Sequence, residues 1–381
     1  MKRSTDRILT THTGRLDPPK DLGEMTRARS RGENIDRDAY EARLHEGVAE
    51  IVKRQHETGI DVVSDGELGK FSSYVYYSQR LTGLKSRPVR EGEPPGMWER
   101  TGERMEFADF YEYLGFRTAR ERMYFDGPIS FIGHEHVQRD IDLMKNALKG
   151  VPAEEAFMCV LAPGWLEHWM YNEYYKSDEE YLFAIAGAMK DEYKAIIDAG
   201  FILQLDDPGL PDTYDMIVPT PSIEDYRRFA EIRVDALNHA LKGLPEDRIR
   251  YHICWGSWHG PHTHDLPLKH VVDLMLKVTA QAYSVEAANP QHEHEWKVWR
   301  ETKLPEGKIL IPGVVSHASN VVEHPELVSD RIVQYAGLVG KQNVIASTDC
   351  GMGGRVHHQI GWAKLAALSE GARMASKILW S

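Results

Sequence analysis

The sequence predicts an α/β protein, a (β/α)8 TIM barrel with a long insertion between its second and third strands. Three observations carry that prediction. Eight short β-branched or apolar runs, each closing at Gly, Asp, His or another turn-forming residue, recur along the 381 residues. Amphipathic stretches with helical spacing separate most of them. Ionisable residues gather at the C-terminal ends of the runs, where barrels of this kind build their sites. An open doubly wound sheet would instead carry a glycine-rich phosphate loop after its first strand, and THTGRLDPP is not such a loop.

The first run, RILTTHTG (7–14), is followed by IDVVSDGE (60–67), which ends in Asp65 and Glu67. The third, FMCVLAPG (157–164), comes only after about 90 further residues, far more than one crossover helix needs. That excess defines an insertion over 70–150, read as a cover for the barrel mouth within one domain spanning 1–381. It contains EGEPPGMWERTGERMEF (91–107), an aromatic stretch FYEYLGF (110–116) and a strand-like GPISFIG (127–133). The spacing of DEEYLFAIAGAMKDEYKAIIDAG (178–200) predicts a helix with a Gly stop, leading into FILQLDDPG (201–209) with Asp206 and Asp207. A second helix, SIEDYRRFAEIRVDALNHALKGL (222–244), opens on a Ser cap with Asp three positions later. The last four runs are IRYHICWGS (249–257), AYSVEAAN (282–289), ILIPGVVS (309–316) and NVIASTDCG (343–351).

Composition narrows the function. An apolar fraction of 42% supports a large core, and no run of about 18 apolar residues offers a membrane span. The start, MKRSTDRILTTHTG, lacks the apolar stretch of a secretory signal. Three cysteines cannot build a disulfide framework, so a cytoplasmic location is expected. The net charge of −12 is spread through mixed acids and bases, without the basic footprint of a nucleic-acid binder. Small molecules are the expected partners, with no nucleic acid and no membrane; a homo-oligomeric assembly stays open.

The chemistry centres on two of those cysteines. In the fifth run His252 and Cys254 alternate, so both side chains point to one side of the strand and can grip one metal ion. Cys350 ends the eighth run and Glu286 the sixth, adding a third and a fourth donor. Two thiolates, an imidazole and a displaceable carboxylate suit Zn2+ that activates a substrate. The bland reading makes each Cys a small buried hydrophobe, as Cys159 is read, and His252 a structural residue. Against it stands the placement of all donors at strand ends sharing one rim. Further rim candidates are Asp65, Glu67, Asp206, Asp207, His317 and Asp349. Each acid serves either as a helix cap or in binding and proton transfer, and His317 either as a general acid or as a structural hydrogen bonder. His259, His262, His264, His292, His294, His357 and His358 offer rival ligands, but most are read as loop residues around the mouth, where histidines are usually solvated.

From TTHTGRLDPP through VVSDGE, LQLDDPGL, HIC, SVEAAN and GVVSH to STDCG, the chain resembles the catalytic C-terminal domain of cobalamin-independent methionine synthases. That family is a (β/α)8 barrel. The resemblance implies zinc ligation by His252, Cys254, Glu286 and Cys350, with Glu286 yielding its place to the incoming sulfur. It implies that Glu67 and Asp206 hold the amino group of homocysteine and that His317 moves a proton at the methyl donor. Three departures bear on substrate. The chain holds one barrel where the full-length synthases hold two. Gly14-Arg15 replaces the family's Gly-Ser, which makes Arg15 a candidate for altered recognition of the substrate anion. The strand-four motif continues PGLPDTYD rather than Arg-Glu-Gly. The expected activity is zinc-dependent methyl or alkyl transfer to a small thiol, homocysteine by default. The alternatives are a C–S bond-forming enzyme like epoxyalkane:coenzyme M transferase, which also resembles this chain, a zinc hydrolase, and a structural zinc protein.

Overall fold

Parallel pairing of eight short strands organises the chain. In the computed structural model, which describes residues 1–31, 33–70 and 73–381, they are β1 (Leu9–Thr10), β2 (Val62–Ser64), β3 (Glu155–Leu161), β4 (Ile202–Asp206), β5 (Ile249–Ile253), β6 (Ala282–Val285), β7 (Ile309–Val315) and β8 (Ile345–Thr348). Seven of the eight predicted runs contain one of them, and the third, 157–164, overlaps β3, which begins two residues earlier. The order is β1-β8-β7-β6-β5-β4-β3-β2, every neighbour parallel. The two ends of that sheet meet at Asp61. Its N–H donates to the Thr10 carbonyl at 3.1 Å, its carboxylate accepts the Thr10 N–H at 2.8 Å, and Arg7 grips the same carboxylate at 2.6 and 2.9 Å. The sheet therefore curls into a nearly closed barrel, as the run spacing predicts.

Helices form the outer layer: α1 (Arg37–Glu57), α2 (His134–Ala147), α3 (Asp178–Asp198), α4 (Ile223–Leu241), α5 (Pro325–Val339) and α6 (His358–Leu379). Local chemistry sets their starts. Ser177 accepts the Glu180 N–H and Ser222 the Asp225 N–H, both at 3.1 Å, satisfying donors that a first helical turn leaves unpaired. α2 packs on α1 and α3, the place of the crossover helix between β2 and β3. Of the 70–150 segment, residues 71 and 72 lie outside the described residues. A three-stranded sheet joins Leu84–Pro88, Glu121–Phe125 and Met170–Asn172. The strand expected at 127–133 is thus at 121–125 instead. Asp126, Gly127 and Pro128 follow as a breaker cluster, and Phe131 makes only an isolated bridge to Leu81.

The barrel interior changes character with height. At the base, Leu9, Ala282, Ile309, Ile311 and Ile345 pack on one side and Val62, Phe157 and Ile202 on the other, with Met1 against both. One layer higher sits Arg250, 1% exposed. Its guanidinium donates to Gln204 Oε1 at 2.6 Å, Thr11 Oγ1 at 2.9 Å and the His12 carbonyl at 2.7 Å, and lies 3.4 Å from the centre of the Phe157 ring. Burial pulls its pKa down to about 10, yet it stays a cation. No helix among the described residues is long and apolar enough to cross a membrane.

Arg250 on β5 ties β4 and the segment after β1 together through Gln204, Thr11 and His12. Replacing it by Met should lower the unfolding free energy by about 2–4 kcal/mol, the cost of several stranded acceptors. Urea denaturation checks this, and an unmoved midpoint would show that the guanidinium is not a tie.

Candidate active site

Alternation along β5 places Arg250, His252 and Cys254 toward the axis, while Ile249, Tyr251 and Ile253 join the core between sheet and helices. Cys350 arrives two residues beyond β8. The ring nitrogen of His252 and the sulfurs of Cys254 and Cys350 all lie within 4.8 Å of one another, and the sulfurs are 3.7 Å apart. His252 Nδ1 is 3.1 Å from Ser284 Oγ on β6, which leaves buried Nε2 without a protein partner. The two sulfurs titrate as a pair. Cys350, hydrogen-bonded by Cys254 and flanked by His252 and His317, is held well below the ordinary thiol range. Cys254 is pushed well above it.

Glu286 stands beside this set and is grouped with His317 and Asp349, whose donor atoms also lie within 4.8 Å of one another. Its Oε2 accepts the Trp255 N–H at 3.2 Å, its Oε1 accepts the Asn289 amide at 2.9 Å, and His317 Nδ1 is 3.9 Å away. His317 is fully buried with neither ring nitrogen hydrogen-bonded. Asp349 Oδ1 accepts the Ala287 and Ala288 N–H groups at 2.7 and 2.8 Å, fixing the loop behind Glu286. That approach requires Gly313 on β7, where a Cβ would fall 2.5 Å from the Asp349 Cα.

Across the mouth, Glu67, Cys159 and Asp206 form a third such group. Glu67 adopts a left-handed φ of 57°, a conformation costly for a side-chain-bearing residue, and Asp65 Oδ1 accepts its N–H at 3.0 Å. Burial raises the pKa of Asp206 to about 7; His252 opposes that rise and Glu67 adds to it. Sequence reasoning missed Lys70. Its ammonium donates to the Cys159 carbonyl and lies 3.3 Å from Glu67 Oε2; a lysine three residues after an acid was the available signal. Arg15 and Arg355 complete a pocket of about 600 Å³ whose lining includes Glu67, Lys70, Asp206, His252, Cys254 and Cys350.

The expectation of solvated mouth histidines fails at His262 and His292, which are 4% and 2% exposed. Asp265 Oδ2 bridges them at 2.9 and 2.8 Å, Glu295 holds the other His292 nitrogen at 3.0 Å, and the His292 ring stacks 3.7 Å from Trp255. Their acidic partners, remote in the run of the chain or hidden in polar loops, gave no periodic signal. The network props the loop that carries Cys254 into the site. From the insertion, Glu103 reaches the same loops, accepting the Thr263 N–H at 3.1 Å and donating its own N–H to Asp215 at 3.1 Å.

Comparison with known proteins gives the family and the fold. Residues 166–374, more than half of the chain, match the cobalamin-independent synthase catalytic domain. A methionine synthase of Saccharolobus islandicus (strain L.S.2.15 / Lassen #1) is 24% identical over 374 residues, covering 97% of this chain and 95% of the relative. One of Sulfolobus acidocaldarius is 25% identical over 271 residues, covering 70% and 68%. Among solved structures, a B12-independent methionine synthase from Shewanella sp. W3-18-1 in complex with selenomethionine aligns with a TM-score of 0.72 at 20% identity over 98% of this chain and 99% of that one. A putative vitamin-B12 independent methionine synthase from Listeria monocytogenes aligns with a TM-score of 0.68 at 18% identity over 97% and 98%. At such identities the structural likeness speaks to the fold.

The buried histidines make one pH dependence testable. Burial alone would lower both pKa values, but hydrogen bonds to Asp265, with Glu295 for His292, raise His262 to about 9 and His292 to about 10. A folded-state pKa above the unfolded value of 6.5 contributes stability that is full below about pH 6.5 and is lost as pH climbs through 9 and 10. Resistance to urea should therefore fall between pH 7 and pH 10, and His292→Gln should flatten that slope. An unchanged slope in the variant would remove the imidazolium from the loop's support.

Proposed function

Since the chain belongs to the family of cobalamin-independent synthase catalytic domains, we propose that it transfers a methyl group to the sulfur of a small thiol, homocysteine, at a zinc ion held by His252, Cys254 and Cys350. The observation that carries this reading is the convergence of three soft donors on one point of the rim. Two sulfurs each about 2.3 Å from a tetrahedral zinc lie about 3.8 Å apart, and the 3.7 Å between Cys254 and Cys350 supports that occupant. The orphaned His252 Nε2, its ring oriented through Ser284, supplies the nitrogen. Bound there, zinc supplies Lewis acidity that keeps a thiol deprotonated at neutral pH, below its ordinary pKa of about 8.5.

The remaining roles belong to side chains. Burial holds the Asp206 pKa at about 7, so an α-ammonium of homocysteine arriving beside Glu67, Lys70 and Asp206 would draw Asp206 into its ionised form. Arg15 and Arg355 face its carboxylate from the pocket edge. Glu286, held by Trp255 and Asn289 beside the donors, is the exchangeable fourth ligand. The substrate sulfur attacks the methyl carbon, the C–S bond forming as the bond from methyl to donor breaks. His317, buried with no hydrogen-bond partner, delivers a proton to the departing atom. Contacts of Glu103 with the loops after β4 and β5 support a covering role for the 70–150 segment. The chain spans 95% of a relative named methionine synthase, so a comparable length is shared by a protein of that name.

Zinc K-edge absorption on the purified chain tests the proposal. Adding homocysteine should add one sulfur to the metal's shell; an unchanged shell, or protein that holds no zinc, would sink it. Cys350→Ser should cut zinc affinity at least about 100-fold with the circular dichroism unaltered, and Glu286→Gln should cost less. Glu67→Gln should raise the homocysteine Kd by roughly 10- to 100-fold, the loss of a charge-assisted hydrogen bond. It should leave 4-mercaptobutyrate, which lacks the amine, nearly unaffected. Tighter binding of 2-mercaptoethanesulfonate than of homocysteine would move the acceptor to the sulfonate class while keeping sulfur alkylation.

A further inference from the structure

His317 is fully buried beside Glu286, yet no hydrogen bond to its ring holds it there. Its placement therefore depends on the backbone that carries it. That backbone is the end of β7, followed by a loop whose residues 319–322 are exposed, Val321 at 74%. An exposed tip gains little from apolar burial. A polar clamp anchors the loop instead. Lys364, fully buried on the second turn of α6, donates to the Val321 carbonyl at 2.6 Å and to the two carboxylate oxygens of Glu323 at 2.8 and 3.1 Å. Those contacts match the three protons of an ammonium. Glu323 Oε1 in turn accepts the Ser316 N–H at 2.8 Å, and Ser316 Oγ accepts the Ala318 N–H at 3.1 Å. The N–H groups on both sides of His317 are thus tied to one buried ion pair.

α6 is firm ground for that pair. It lies so close to α5 that a Cβ on Gly371 would fall 2.5 Å from the Val328 Cβ. A lysine is almost never fully buried unless paired, and taking both charges out of water offsets much of their attraction. Apolar side chains of similar volume would stabilise a fold as well. Stability alone does not account for the pair, and a fixed geometry at the end of β7 is what it adds.

We propose that Lys364 and Glu323 are positioning residues for His317, holding the loop after β7 so that the imidazole stays inside the rim with Nδ1 3.9 Å from Glu286. What His317 does there rests on the alkyl-transfer reading; where it is held does not. Carbethoxylation by diethyl pyrocarbonate, followed residue by residue by peptide mass spectrometry on the full chain as purified, tests the clamp. His317 should react slowly in the unaltered protein and about tenfold faster or more in Lys364→Met, because charge-assisted hydrogen bonds no longer oppose local opening. His292, 2% exposed in the loop after β6, should keep its protection in that variant, which separates a local release from general loosening. Glu323→Ala should match Lys364→Met. The double variant should exceed neither by more than about twofold, since both changes break one linkage. Glu323→Gln keeps an acceptor for the Ser316 N–H and should protect His317 better than Glu323→Ala. Unchanged reactivity of His317 in these variants, parallel exposure of His292, additive effects in the double variant, or Gln no better than Ala would each overturn the proposal. A metal shell unmoved by homocysteine would instead defeat the alkyl-transfer reading, while the protection pattern still decides the clamp.

Discussion

Closure of the sheet at Asp61 is the constraint on which the site depends. β5 and β8 are separated by two intervening strands in the sheet order. Three inter-strand spacings in a flat sheet would hold Cys254 and Cys350 about 14 Å apart. Their sulfurs are 3.7 Å apart because the sheet bends until its first and last strands meet through Asp61, Thr10 and Arg7. The donors therefore owe their meeting to contacts at the opposite side of the barrel, between residues that take no part in chemistry.

Height along the axis then sorts polarity. The apolar base tolerates no charge. Above it the Arg250 guanidinium is hydrogen-bonded to Gln204, Thr11 and His12, and the rim carries polar atoms left without protein partners: His252 Nε2, both nitrogens of His317 and one oxygen of Asp349. Unsatisfied buried groups are costly and are sparse in folded proteins. The backbone takes part, since Glu67 is held at a left-handed φ and Gly313 lets Asp349 reach the loop behind Glu286.

The surrounding loops show how the site is kept in shape. Trp255 is gripped from three directions: its N–H by Glu286, its indole N–H by the Leu266 carbonyl at 2.7 Å, and its face by His292. Because Trp255 follows Cys254 directly, the His262–Asp265–His292–Glu295 network positions a sulfur through one intervening residue. Glu103 braces the same loops from the insertion.

Much of this was legible in the residues themselves. Strand runs, Ser caps and the His-x-Cys alternation are local, and each follows from backbone periodicity or a single side-chain hydrogen bond, which is why β1 to β8 and the shared face of His252 and Cys254 could be read off the chain. The strand at 121–125 was hidden because its partners, 84–88 and 170–172, are distant and its sequence, ERMYF, carries no clean alternation. Ser284 was hidden because its partner, His252, lies on another strand. Lys70, His262 and His292 each have an acid three positions away, Glu67, Asp265 and Glu295, but in loops without periodic spacing nothing local shows that the pair is buried. The sequence by itself determined the barrel and the set of soft donors. Only the tertiary structure decided which groups meet: Glu286 beside His317, Lys70 beside Glu67, and Asp265 between His262 and His292. Such pairings depend on sheet closure and loop packing, and no local pattern encodes the distance between residues a hundred positions apart.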